Sequence, residues 1–390
     1  MSTETHTDGT RDGHDEITFE DVDWEEFDGG LEWTRTRVAA YLTMGGIALA
    51  WLLDSLYGSR RDPLVDYQFG PVEFAPNPGN VEWLFTLTLA VLFFYCLVPL
   101  YQNPRRTKHY WKEFKKNKAA VASLVFLVFI FLVAVFGPFI VGRPELDLAN
   151  AYQPPVFYSY VPGLEGGTWE HPFGTMQSGE DILQTVVIGA RVSMMVGLIG
   201  CLMIVVLASA VGTTAAYFGG LVDEVLMRFV DIMLTFPTFF LILFVVYLYG
   251  GDLFTIILIL GLTTWTATSR LVRSEALQRN EEQYIDAAKN VGASERWIIT
   301  RHLVPNVSNT IITAATLAIP SLILYEAVLA FLGFGDPNVW SWGRVISEGR
   351  GDLQNAWWIA TIPGVFLFLT VLAFNFLGDA LRDALDPRHE

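Results

Sequence analysis

The apolar residues of this chain come in blocks of about 20, the length a helix needs to cross the hydrocarbon core of a bilayer. Eight such blocks are found, at about 38–57, 82–101, 119–141, 192–217, 229–249, 253–269, 309–331 and 357–378. The cleanest reads "AAVASLVFLVFIFLVAVFGPFIV" over 119–141 and carries no charge. In hydrocarbon every backbone N–H and C=O must be paired within its own segment, so helices are the expected spanning form. The chain is therefore expected to be an all-α polytopic membrane protein with eight spans.

Charge orders the rest. Residues 1–36 hold twelve Asp/Glu against Arg11 and Arg35. A stretch this polar cannot bury a core and is expected to be a disordered, solvated tail. It lacks the basic start and apolar stretch of a signal peptide. Lysine is confined to 108–118 and Lys289. An acidic, lysine-poor surface fits a salty, haloarchaeal-like cytoplasm. Cations gather in "QNPRRTKHYWKEFKKNK" (102–118) and again over 270–301. Short loops rich in Lys and Arg stay on the cytoplasmic side. Four spans separate the two clusters, so both can lie inside, and both termini then fall inside the cell membrane. The outside receives 58–81, 142–191, a turn near 250–252 and 332–356. The organisation expected is a cytoplasmic tail (1–36), two spans with a basic segment (37–118) and a six-span core (119–390).

A polar island, "EEQYIDAAKNVGASERWIITRHLVPN" (281–306), interrupts the core. Tyr284, Ala287, Ala288 and Val291 fall at i, i+3, i+4 and i+7, so they share one face of a short helix over about 281–294. Gly292 can supply the positive φ of a C-terminal cap. "ASERWIITRHL" restarts a helix, and Pro305 is expected to end it. Two readings stay open from periodicity: a rigid knuckle that docks into another protein, or an amphipathic helix lying on lipid headgroups.

This stretch resembles the cytoplasmic signature of binding-protein-dependent ABC transporter permeases, in which Glu-Ala-Ala is followed by Gly and then by a Pro-terminated apolar step. The match is Asp286-Ala287-Ala288, Gly292 and His302-Leu303-Val304-Pro305-Asn306, with Asp286 in place of the usual Glu. The "RHLVPN" ending is similar to the peptide and nickel branch. Further stretches resemble the dipeptide/oligopeptide C-type permeases: "HPFGTMQSGEDILQTVVIGARVSMMVGL" (171–198), "AYFGGLVDEVLMRFVDIMLTFP" (216–237), "EAVLAFLGFG" (326–335), "WSWGRVISEG" (340–349) and "NFLGDALRDALDPR" (375–388). Met176 and Glu180 depart from that pattern, which usually has Asp and Arg there. The resemblance covers about 119–390 and leaves the first two spans outside it.

The resemblance implies a type I importer permease core of six helices plus two extra N-terminal transmembrane helices. It implies four kinds of partner: a second permease subunit, usually a different chain; two ATPase subunits that receive the 281–306 loop; an extracellular substrate-binding protein; and the bilayer. It implies no nucleic acid. Tyr284, Asp286, Ala287, Ala288, Val291, Gly292, His302 and Pro305 would form the ATPase-coupling interface. Peptides are the first substrate class, with nickel complexes or sugars as alternatives. The chain has no G-x-x-x-x-G-K-[ST] loop to cradle ATP phosphates and no H-E-x-x-H. No catalytic residue, metal site or bound cofactor is expected; ATP and Mg²⁺ would be used by the partner subunits. A membrane enzyme would need clustered catalytic side chains, and a stand-alone channel or secondary transporter would carry charge relays or repeats. None of these is evident.

Ionisable groups inside spans are costly and are functional candidates by default. Glu326 sits 17 residues into its span, roughly 25 Å along the helix at about 1.5 Å per residue. It is a candidate outer-gate lock, substrate-amine contact or scaffold. Asp231 is expected to pair with Arg228, Arg191 or Arg270. Pro237 and Pro320 can kink their spans. Thr263 and Thr264 offer hydroxyls for helix packing or for the pathway.

Overall fold

The computed structural model describes residues 34–57, 67–69, 72–74, 78–158 and 166–385. The acidic stretch 1–36 lies outside these, apart from its last three residues. The regular structure of the described chain is helical apart from one isolated bridge, Thr175–Asp181, and one short hairpin, β1 (Tyr67–Phe69) and β2 (Val72–Phe74), paired antiparallel with Gln68 opposite Glu73.

The helices are α1 (Arg35–Tyr57), α2 (Asn80–Gln102, with a π-turn at Phe93–Leu97), α3 (Pro104–Phe114), α4 (Lys118–Val141) and α5 (Ile182–Phe218). They continue with α6 (Gly220–Thr235), α7 (Thr238–Tyr249), α8 (Leu253–Asn280), α9 (Gln283–Asn290) and α10 (Glu295–Ile298). The last three are α11 (Ser308–Phe331), α12 (Trp342–Gly349) and α13 (Trp358–Leu385). Among the described residues seven are long and apolar enough to cross a membrane, and α6 with α7 passes the same test only as a pair, bent sharply at its break.

Local chemistry sets the starts. Asn117 accepts from Ala120 N at 3.1 Å to begin α4, Asp181 from Leu183 N at 2.6 Å to begin α5, and Asp252 from Thr255 N at 3.2 Å to begin α8. Each side chain satisfies a donor that has no partner within its helix.

Three spans differ from the expectation. The sixth runs on to Asn280 rather than ending near 269, so Arg270, Arg273 and Arg279 stand on α8 and not in a loop. The fourth begins at Ile182, ten residues early, and is 37 residues long. At 1.5 Å per residue that is about 55 Å, well beyond a 30 Å hydrocarbon core. Gln184 and Arg191 lower the hydropathy of the added turns without breaking the helix. The fifth span is not one helix: α6 and α7 meet at 78°. Pro237 pushes the preceding residue out of the helical region, and Phe236 takes ψ 130°. Pro320, by contrast, lies inside an uninterrupted α11.

The core is built on α5. It packs along α8 over the longest shared surface and also against α4 and α11, while α13 packs on α11, α4 and α12. Small residues allow the approach: a Cβ on Gly212 would stand 2.7 Å from the Ser269 carbonyl oxygen, and one on Gly261 would meet Met203 Sδ at 2.2 Å. In lipid, close van der Waals packing of this kind drives helix association. α1 and α2 form a hairpin at the edge, clipped by Trp51 Nε1 to Asn80 Oδ1 (3.1 Å) and Trp83 Nε1 to Asp54 Oδ2 (2.9 Å).

Candidate functional site

The polar island folds as α9, a tight turn and a short irregular helix before α11. Ile285 is fully buried against Ile298 and Leu303, with Tyr217 at the end of α5 and Ala288 alongside. This apolar knot fixes the loop to the end of the bundle. Asn280 Nδ2 adds a bond to the Ala216 carbonyl at 3.3 Å.

Burying Ile285 sends the opposite side of α9 outward. Tyr284, Ala287 and Val291 are exposed, Val291 by 81%. Ala288 is half-buried in the knot, so the expected four-residue face reduces to three: positions i and i+3 from Ile285 share the inner side. Asp286 is exposed and pairs with Lys289 at 3.7 Å; the Lys289 ammonium also lies 5.5 Å from the Tyr217 ring centroid.

Gly292 has φ +87°. Its N–H donates to the Lys289 carbonyl at 3.0 Å, and the Ala293 N–H donates to the Ala288 carbonyl at 3.1 Å. These two bonds are the Schellman closure, which satisfies the last carbonyls of a helix and needs a left-handed residue.

Beyond the turn, Ser294 caps α10, and the chain runs through a π-turn at Ile299–Leu303 into a short helical turn at Val304–Asn306. Pro305 stands one residue before the end of this continuous helical run: it closes at Asn306, Val307 leaves the helical region at φ -101° and ψ 4°, and α11 begins at Ser308. The His302 ring lies 4.7 Å from Trp297 and 5.8 Å from Tyr284, centroid to centroid. Asn306 Nδ2 donates to Tyr284 Oη at 3.2 Å and to the His302 carbonyl at 2.7 Å. His302 thus sits inside the brace between α9 and the segment leading to α11, while Pro305 is exposed beside it.

Two carboxylate–guanidinium pairs tie α6 to α8. Asp231 bonds Arg270, not Arg228 or Arg191. Arg270 faces it from the packed neighbour, whereas Arg228 lies one turn back on the same helix and Arg191 near the far end of α5. Arg191 instead places its guanidinium 5.9 Å from the Phe139 ring centroid. The second pair was not anticipated: Arg273 holds both oxygens of Asp223 through Nε and a terminal nitrogen. Two opposite charges at the matching ends of consecutive spans were its only signal in the sequence.

At the far end of α11, Glu326 is 3% exposed, and its Oε2 is buried without a hydrogen-bond partner. Ser341 caps α12, accepting from Arg344 N at 3.3 Å. Ser347 Oγ donates to the Phe331 carbonyl at 2.7 Å. Trp342 Nε1 donates to the Val186 carbonyl at 2.9 Å, and a Cβ on Gly189 would stand 2.3 Å from the same indole. The bonds of Ser347 and Trp342 thereby attach α12 to α11 and α5, with Glu326 buried nearby on α11. Met176, where the resemblance would put Asp, is buried with Ile182, Val345 and Trp358. Glu180 is buried too, and burial pushes its carboxyl up from the ordinary value. The Thr263 and Thr264 hydroxyls both return to their own helix, at the carbonyls of Ile259 (2.7 Å) and Leu260 (2.7 Å). Among the described residues no group of three His, Cys, Asp or Glu could hold a metal.

Residues 205–390 match the family model of binding-protein-dependent transport system inner membrane components. Residues 106–155 match the N-terminal transmembrane domain of oligopeptide transport permease C. Oligopeptide transport system permease protein OppC of Escherichia coli K12 is 38% identical over 290 residues, 74% of this chain and 91% of that protein. OppC of Haemophilus influenzae is 36% identical over 282 residues, 71% and 87% of the two chains. The chain belongs to this ABC permease family. The dipeptide permease DppC of Bacillus subtilis is 36% identical over 288 residues, 72% of this chain and 86% of that protein. A chain of an inward-facing methionine ABC transporter structure aligns with TM-score 0.41 and 19% identity, over 52% of this chain and 96% of that one. The permease is thus a multi-pass membrane protein of the transport type. Both family models lie beyond α1 and α2, which end at Gln102.

Proposed function

We propose that this permease forms half of the translocation pathway of an ATP-driven peptide importer. The observation that carries the reading is the 38% identity over 290 residues to an oligopeptide permease. The names of the relatives favour peptides over nickel complexes or sugars. A second, different permease completes the pathway, two ATPase subunits use ATP and Mg²⁺, and an extracellular binding protein delivers substrate. The chain itself binds no cofactor and performs no catalysis.

In this reading α9 is the handle. Its inner side is fixed to α5 by Ile285, and its outer side, Tyr284, Ala287 and Val291, is free to be gripped. Motion of an ATPase would enter at that face and pass through the His302–Trp297 brace to α11 and through Tyr217 to α5. ATP binding elsewhere then biases a two-state bundle. The basic 102–118 segment supports a cytoplasmic position for α9 and both termini, since short Lys/Arg-rich loops stay on that side.

The test is cross-linking and transport in vesicles holding the two permeases and the ATPases. Ala287→Cys should cross-link to an ATPase subunit, and uptake of oligopeptide should require ATP. Transport without any ATPase, or labelling of Ala287→Cys from the external side, would overturn the proposal.

A further inference from the structure

A groove of about 540 Å³ opens between α1, α2 and α4. Its walls are Thr43, Leu89, Phe93, Leu97, Phe131 and Val135. Apart from the Thr43 hydroxyl these side chains are apolar, and the groove lies within three membrane-spanning helices. On α2 it runs from Leu89 to Leu97, eight residues, or about 12 Å at 1.5 Å per residue. That fits inside one leaflet, which is about 15 Å of hydrocarbon if the 30 Å core is halved. The π-turn at Phe93–Leu97 falls in this wall. A π-turn inserts an extra residue into the helix and displaces neighbouring side chains.

The groove ends close to a concentrated positive charge. Leu97 is five residues from Gln102, about 7 Å along the helix. From there α3 begins. Arg105, Lys108, Lys112 and Lys115 recur at i, i+3, i+7 and i+10, so they form one stripe, and all four are exposed. The other side of α3 is anchored: Phe114 is buried against Ala120 and Ala380. Over 102–118 there are seven Lys/Arg and one acid, Glu113, in a chain whose net charge is -16. Glu113 is engaged with Lys116 in the turn that follows α3. Tyr101 and Trp111 stand exposed at this level, 88% and 43%, as aromatic side chains do at the interface of a membrane.

The geometry points to a binding site for an anionic phospholipid, with its headgroup on the α3 stripe and an acyl chain in the α1–α2–α4 groove. Each half supplies what the other lacks. The stripe selects negative charge, and cations beside a membrane surface attract acidic lipids at about 1 kcal/mol each. The groove holds a chain that a plain helix surface would leave mobile. The α1 and α2 walls of the groove lie before the residues that the family models match, while the α3 stripe beyond Arg105 and the α4 wall fall within the 106–155 match; the site is argued from charge and shape and does not rest on the peptide-importer reading.

The test is native mass spectrometry of the assembled, delipidated transporter titrated with phosphatidylglycerol or phosphatidylcholine. Wild type should retain phosphatidylglycerol in preference. Replacing Arg105, Lys108 and Lys112 together by Gln should reduce that preference by about tenfold or more while leaving phosphatidylcholine retention unchanged. Ala90→Trp, which fills the groove wall, should reduce retention of both lipids. Phe93→Cys should not cross-link to the second permease. Equal retention of both lipids by wild type, full retention in the charge-removed and groove-filled variants, or an efficient Phe93→Cys cross-link to the second permease would each overturn the assignment. A variant that fails to assemble is replaced by Arg105→Gln or Ala90→Leu, which are held to the same outcomes at smaller size.

Discussion

Gly292 offers the sharpest perturbation because its role separates into conformation and contact. Its φ is +87°, and no atom lies within 4 Å of a Cβ placed there. A side chain would therefore meet no obstacle, and the whole penalty is in the backbone. For an ordinary L-residue the left-handed region costs about 1–2 kcal/mol. Asparagine enters it more readily, and a β-branched residue is a severe outlier there. A penalty of 1–2 kcal/mol changes the ratio of closed to open turn by a factor of about 5–30. The series Gly292→Asn, Gly292→Ala and Gly292→Val should thus lose ATP-driven uptake in that order. Asn should stay near wild type, Ala should fall by up to the stated factor, and Val should fall further. Thermal stability in detergent should barely change across the series, because the hydrophobic knot at Ile285 is untouched. The assay is peptide uptake and substrate-stimulated ATP hydrolysis in reconstituted vesicles. If Asn is as damaging as Val, or if Val transports normally, the left-handed turn is not what couples α9 to the bundle.

Other expectations follow from the same packing. Trp342→Ala should lower stability by about 3–5 kcal/mol, while Trp342→Phe should lose about 1 kcal/mol, mainly the bond to Val186; thermal melts in detergent read both. A double-mutant cycle on Asp223 and Arg273, each about a quarter exposed, should give a larger coupling than one on the half-exposed Asp231–Arg270 pair, which should stay under about 1 kcal/mol; equal couplings would contradict the burial argument. Glu180 is raised by burial, so its contribution to stability is fully present below its ordinary value of 4.5 and is lost as pH rises through the raised value. Glu180→Gln should accordingly raise the melting temperature at neutral pH and leave it unchanged at pH 4, and an equal gain at both would refute the assignment.

Much of this was legible in the sequence because lipid imposes a simple code. Uncharged runs such as 119–141 could only be spans, and the i, i+3, i+4, i+7 pattern with Gly292 gave α9 and its cap. Three features were less accessible. The start of α5 was hidden because Gln184 and Arg191 are tolerated where the helix leaves hydrocarbon. The break at Phe236–Pro237 read as a kink because a proline marks a bend without giving its angle. The side to which Ala288 turns depends on Ile285 meeting Ile298 and Leu303, a contact between residues more than ten positions apart. The partner of Asp231 was narrowed to three arginines, and only the packing of α6 on α8 chose Arg270. Asp223 and Arg273 were invisible as a pair for the same reason.

The attachment of α12 has a mechanical result. Ser347 holds it to α11 through the Phe331 carbonyl, and Trp342 holds it to α5 through the Val186 carbonyl. A flap on a hinge would need at least one of these to let go. As built, α12 has no swing of its own: whatever displaces α5 and α11 carries it as cargo, and a pair of spin labels on the half-buried Ile346 and Ile188 would report one unchanging separation throughout the transport cycle.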